Sequence, residues 1–398
     1  MSTSKKKLAV CSLLLFFIAF ISASSCFGGP REQAKRIHDR LAGVPPKANV
    51  LNDMEADIIG GSAIDAAYQA MDNSAFYNVT LKNFATPWTN EEQTVFAPLN
   101  DYTATVIGMI RDDVPFNQML SADMLYVGPT GGGIPAYSMT SNGHYEALEN
   151  QGIDLQAELT QTNQSALTNL PPAATAGVMT TRAAAKAFFV AGTNRAMFRF
   201  TVLNHMCNDL EQLKDTTRSP DRIRQDVSRS PGGDSRIYMN ACIGCHSGMD
   251  PMTQAFAYYD YDEATGQIDY NDVGEIDPET GTRVQGKYHI NGKNFEYGYI
   301  TPDDQWDNYW RNGPNAFLGW STSLPGSGFG AKSLGVELGN SEAFARCQVE
   351  KVFTTVCLRS PVDDNDHNTI DAIINSFKSS NYNMKQVFAE TAEYCMGN

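Results

Sequence analysis

Three stripes of apolar residues close this chain. Val349, Val352, Phe353 and Val356 form the first, Ile370, Ile373, Ile374 and Phe377 the second, and Met384, Val387, Phe388 and Thr391 the third. Each repeats at the i, i+3, i+4, i+7 spacing that gathers side chains on one helix face. Three helices are therefore predicted, over roughly 342–358, 367–379 and 383–395. Further upstream, "TRAAAKAFFVAG" and "NRAMFRFTVLNHMCNDLEQL" read as two helices, and residues 31–44 as a short one stopped by Pro45 and Pro46. "LNDYTATVIGMIRDD" and "VPFNQMLSADMLYV" carry mixed apolar spacing and also read as helical.

Elsewhere the pattern weakens or changes period. Residues 144–170 are polar and rich in Gln and Asn, a linker or an exposed helix. "GPTGGGIP" lacks the Lys-Ser/Thr ending of a phosphate loop and a strand before it, so it reads as a plain loop. From residue 263 apolar and polar residues alternate between Gly, Asp and Pro, which predicts β-hairpins. The acidic start of that stretch, "DYDEATGQIDYND", has Thr265 where a calcium-binding EF loop counted from Asp260 needs glycine. It reads as a solvated acidic hairpin.

The fold class that follows is mainly α. A mostly helical region, 27–150, precedes a helical segment, 175–262, then a β-hairpin and loop insertion, 263–340, and a C-terminal helical module, 341–398.

The N-terminus changes the compartment. Lys5, Lys6 and Lys7 precede the apolar run "LAVCSLLLFFIAFI" and the small residues "SASS", the layout of a secretory signal peptide over residues 1–25. An uncleaved anchor is the alternative. Cys26 follows directly and would be a lipid-anchor site, but Ala23 stands where a lipobox has Leu, so lipidation is the lesser reading. No later stretch is apolar enough for a membrane span. The expected location is the bacterial periplasm or the exterior.

The formal net charge is -15, and loss of three lysines with the signal makes it about -18. A surface that acidic, with no basic stretch interleaved with aromatics, argues against nucleic acid and suits a basic redox partner protein.

Of eight cysteines, Cys11 leaves with the signal and Cys26 abuts it. Cys242 and Cys245 belong to "NACIGCHSGMDP", in which His246 follows the second cysteine. That spacing is the one covalent haem attachment uses. Two sulfurs join the porphyrin vinyl groups, and the adjacent histidine lies beneath the iron as proximal ligand. A thioredoxin-like pair expects a βαβ setting, a structural zinc site needs a fourth ligand, and a disulfide this tight is strained. The expected cofactor is therefore one covalent haem c, with His246 as the iron ligand.

Around the motif, "CIGCHSGMDPMTQAFAYYDYDEATGQ" resembles the haem segment of planctomycete-type cytochrome c proteins, with Met249, Asp250, Pro251, Phe256, Ala257, Tyr261 and Asp262 in matching places. Thr253-Gln254 replaces the usual glycine. "FNQMLSADMLYV", "HYEAL" and "AGVMTTRAAAKAF" are similar to the module that precedes it in that family. "SEAFARCQVEKVFTTVCLRSP" and "NYNMKQVFAETAEY" are similar to its C-terminal helical module. The resemblance implies haem and secretion and names no substrate.

The sixth iron ligand decides the function class. Met249 and Met252 follow His246 too closely to cross the porphyrin edge, which leaves His144, His205, His289 and other methionines. A Met or His there makes an electron carrier, the expected function. An open position would make a haem enzyme acting on peroxide or small ligands, and a structural haem would make a secreted binding protein.

Cys207, Cys347, Cys357 and Cys395 remain. If the three C-terminal helices run up, down and up, the ends of the first and third coincide, which pairs Cys357 with Cys395 and leaves Cys207 for Cys347. Four free thiols are the alternative.

Overall fold

The computed structural model describes residues 28–189, 194–218, 222, 235–271 and 301–397. Residues 1–25, read as a signal peptide, Cys26, and residues 272–300, which hold His289 and much of the stretch read as β-hairpins, lie outside the described residues.

The architecture is mainly α. Three helices, α1 (Pro30–Ala42), α2 (Ala48–Ile59) and α3 (Ala63–Met71), pack on one another near the start. Helix α4 (Asp101–Arg111) runs through the core, with Asn100 capping it by accepting from the Thr103 amide at 3.0 Å. Strand β1 (Leu125–Val127), helix α5 (Gly143–Asn150) and strand β2 (Thr160–Thr162) follow, β1 and β2 pairing antiparallel with Leu125 opposite Thr162. Helices α6 (Arg182–Phe188), α7 (Arg195–Met206) and α8 (Ile243–Thr253) lead to an antiparallel hairpin, β3 (Tyr259–Asp262) and β4 (Gln267–Tyr270). A third two-stranded sheet pairs β5 (Gln305–Asp307) with β6 (Ser327–Phe329). Helices α9 (Gly330–Gly339), α10 (Glu342–Cys357), α11 (Asp364–Ser379) and α12 (Met384–Cys395) complete the chain.

All three C-terminal stripes are buried, Val352, Phe353, Ile370, Phe377, Val387 and Phe388 completely. Helix α12 also packs on α1 and α3, so the two ends of the described chain meet. There Arg40 donates to the Cys395 carbonyl at 2.6 Å and Gln33 to that of Gly397 at 2.6 Å, which satisfies carbonyls left open at the end of α12. The sulfurs of Cys357 and Cys395 stand at bonding distance with Cα atoms 5.4 Å apart, and those of Cys207 and Cys347 likewise at 5.2 Å.

The structure departs from the sequence pattern in four places. "VPFNQMLSADMLYV" is a 3-10 turn, Phe116–Gln118, followed by β1 rather than a helix. Its backbone is recruited from outside: the Gly177 amide donates to the Ala122 carbonyl, and that of Val178 to Met119. The polar stretch after residue 143 begins with α5, which buries His144, Tyr145 and Leu148 instead of lying exposed. The first hairpin starts at Tyr259, earlier than 263, because Tyr259 is buried and its hydroxyl donates to the Ala174 carbonyl at 2.5 Å. Within 263–340, read as hairpin and loop, residues 330–339 form α9. Its glycines hid it. A Cβ on Gly335 would stand 1.8 Å from the Leu120 carbonyl oxygen, so helix and backbone approach too closely for any side chain.

Candidate functional site

Cys245 and His246 lie on α8 and Cys242 ends the π-helical turn that leads into it; α8 packs beside α7. Asn194, at φ 52, opens α7 and donates through its amide to the carbonyls of Phe256 at 2.7 Å and Tyr259 at 2.8 Å, beyond the far end of α8. At the other end, the loop leaving α7 runs along the start of α8. The Asp215 amide donates to the Gly244 carbonyl at 2.8 Å, and the Ser247 hydroxyl donates to that of Asp215 at 2.9 Å. Cys207, where that loop begins, is tied to Cys347 of α10. The flank of α8 is closed by Trp310: a Cβ on Gly248 would fall 1.9 Å from its Nε1.

Cys242, Cys245 and His246 are spaced i, i+3, i+4 in helical backbone and therefore share a face. Both thiols are unpaired and half-buried, whereas the other four described cysteines stand in two pairs. Burial, then the Glu211 carboxylate, pushes the Cys245 thiol up from its ordinary value. The same thiol lies 3.6 Å from the Leu210 carbonyl. Ile237 and Met239, just before Cys242, expose apolar side chains.

His246 is partly exposed, with the Tyr238 ring edge-on at 5.5 Å. Its Nδ1 lies 3.1 and 3.2 Å from the two carboxylate oxygens of Asp250, one helical turn on. With Nδ1 engaged as donor to the carboxylate, Nε2 is the nitrogen left to coordinate. Asp250 is buried, and Arg195 of α7 grips it bidentately, Nε to Oδ1 at 2.9 Å and Nη2 to Oδ2 at 3.1 Å. A buried carboxylate needs such a partner. Two thiols and a bare imidazole nitrogen on one face are a donor set that fits a haem held through Cys242, Cys245 and His246.

The other candidates are engaged elsewhere. His144 has Nδ1 2.7 Å from the Pro135 carbonyl and Nε2 accepting from the Gly128 amide at 3.0 Å, so both nitrogens serve the fold. His205 is buried, with Nε2 2.6 Å from the Tyr102 hydroxyl and the Trp88 ring edge-on at 5.4 Å. Burial, then the nearby Lys351 charge, drives its pKa well below the ordinary value, so the ring is neutral. Met249 and Met252 are buried in the core. Asp262, in the acidic hairpin, accepts from the Ala264 amide at 2.8 Å and the Thr265 hydroxyl at 2.7 Å, which shapes the turn.

The sequence pattern passed over Arg195, Gly248 and Trp310, and it noted Asp250 without a role. For Asp250 a signal existed, the i, i+4 spacing from His246. Arg195 stands 55 residues from its partner, and no local pattern could join them. In comparisons with known proteins, the chain matches no family model, and neither the curated proteins nor the solved structures give a match.

Proposed function

We propose that this chain is a secreted mono-haem c-type cytochrome that carries electrons, similar to the planctomycete-type cytochrome c proteins. The observation that carries the proposal is the shared face of Cys242, Cys245 and His246, with both thiols unpaired. Cys242 and Cys245 would hold the porphyrin through thioether bonds, and His246 Nε2 would be the proximal iron ligand. The haem supplies a one-electron couple; the protein attaches it, orients the imidazole and limits water around it. Ile237 and Met239 offer apolar surface beside the attachment point.

Secretion rests on the N-terminal basic and apolar layout, and the net charge of -15 favours a basic redox partner over nucleic acid. Anchoring through lipid at Cys26 is the lesser alternative.

The test is expression in a host competent for cytochrome c maturation. Denaturing electrophoresis with peroxidase staining should show a band that survives acid-acetone extraction, and Cys242→Ser with Cys245→Ser should abolish it. A colourless wild-type protein overturns the proposal. The carrier should also be low-spin and redox-reversible. Ready cyanide or peroxide binding would instead identify a haem enzyme.

A further inference from the structure

We infer that Asp250 and Arg195 are positioning residues that set the electron affinity of the iron through His246, an inference that rests on the haem proposal. The geometry gives the sign. An imidazole whose Nδ1–H is donated to a carboxylate places more electron density on Nε2, which stabilises ferric over ferrous iron. Asp250 accepts that bond at 3.1 to 3.2 Å from one turn on in the same helix, at i+4, which sets the carboxylate beside the ring. The carboxylate is 1% exposed, so its charge is screened less by water than one at the surface.

Arg195 acts in the opposite direction. Its fork engages both oxygens of Asp250 from α7, draws charge away from His246 and fixes the carboxylate plane. The guanidinium belongs to the helix that Asn194 ties to Phe256 and Tyr259. Electron affinity at the motif is thus linked to the seating of α7 on α8. A merely structural Arg195–Asp250 pair would hold the two helices together and leave the iron indifferent to which charge is removed.

Redox titration of the holoprotein separates the two accounts. Asp250→Asn keeps the shape of the side chain and removes the charge. It should favour reduction about tenfold, which for one electron is about 59 mV upward. Arg195→Gln removes the guanidinium charge from beside the carboxylate and should shift the couple downward at least threefold, and Arg195→Lys should fall between that and wild type. Covalent haem is scored beforehand by stained gel. Loss of haem in the wild type defeats the cofactor proposal, whereas haem present with unmoved potentials defeats this inference alone. Shifts of the same sign in Asp250→Asn and Arg195→Gln also overturn it, since loosened packing admits water in either case. If Asp250→Asn retains no haem, Arg195→Gln decides: an unchanged or raised potential refutes the inference.

Discussion

The C-terminal module of α10, α11 and α12 and the helix pair α7–α8 are held together by different means. In the module, apolar stripes from three helices face one another, nearly all fully buried, and a cystine joins the ends of α10 and α12. No single contact there stands alone. Helix α8 reads IGCHSGMDPMT; it buries Ile243, Met249, Pro251 and Met252, but its two glycines, serine, histidine and aspartate interrupt any continuous apolar stripe. It is fixed by individual contacts: Asn194 at one end, Ser247 and Asp215 at the other, Arg195 on Asp250, and Gly248 against Trp310. A segment that must present three chemical side chains cannot also present a stripe. Its position is therefore delegated to neighbours, and each neighbour becomes sensitive to substitution.

The largest expected effects lie in the cystines that join or brace the two regions. Replacing Cys207 and Cys347 by Ala opens a link between residues 140 apart, and loop-closure entropy puts the loss at about 5 kcal/mol. The same change at Cys357 and Cys395, 38 residues apart, should remove about 4 kcal/mol. Guanidinium unfolding of each double variant measures both. If the second loss exceeds the first, the link from α7 to α10 contributes less than its span implies.

Next comes Gly248→Ala, which forces a methyl into Trp310 and should destabilise by about 2 to 3 kcal/mol. Trp310→Phe in the same chain removes the clashing Nε1, so the pair should show positive coupling in a double-mutant cycle. Additive losses would mean that the helix, not the indole, absorbs the strain.

The pH dependence draws on His205, whose folded-state pKa is depressed by burial. Its contribution is present above the unfolded value of about 6.5 and is lost as pH falls below that, by up to about 1.4 kcal/mol per pH unit. Unfolding at a series of pH values should therefore show a steeper decline below pH 6.5 in wild type than in His205→Gln. Parallel curves would remove His205 from the account. Ser247→Ala, which deletes the 2.9 Å bond to the Asp215 carbonyl, should have the smallest effect, about 1 kcal/mol, and should leave the C-terminal module's protection from hydrogen exchange unchanged.

The sequence by itself determined the helices whose apolar spacing is regular. The stretch read as 342–358 is Glu342–Cys357 and that read as 383–395 is Met384–Cys395, because a 3.6-residue period buries a face only in a helix. Asp364–Ser379 begins three residues before the stripe implied, since Asp363 caps it by accepting from the Asp366 amide. The motif's spacing was legible, but that its three side chains share a face followed only once the structure showed helical backbone there. Tertiary structure alone decided the rest. Strand β1 exists because Thr160–Thr162 supply its backbone partners from far along the chain, with the turn before it held by Gly177 and Val178, and α9 exists despite its glycines because Gly335 and Gly339 let it approach the Leu120 and Asn117 carbonyls too closely for a side chain. Arg195 meets Asp250 only after α7 is laid beside α8. Local spacing records what one helix does with its own turns, whereas a bond across 55 residues depends on where two helices are brought, and that is set by the core as a whole.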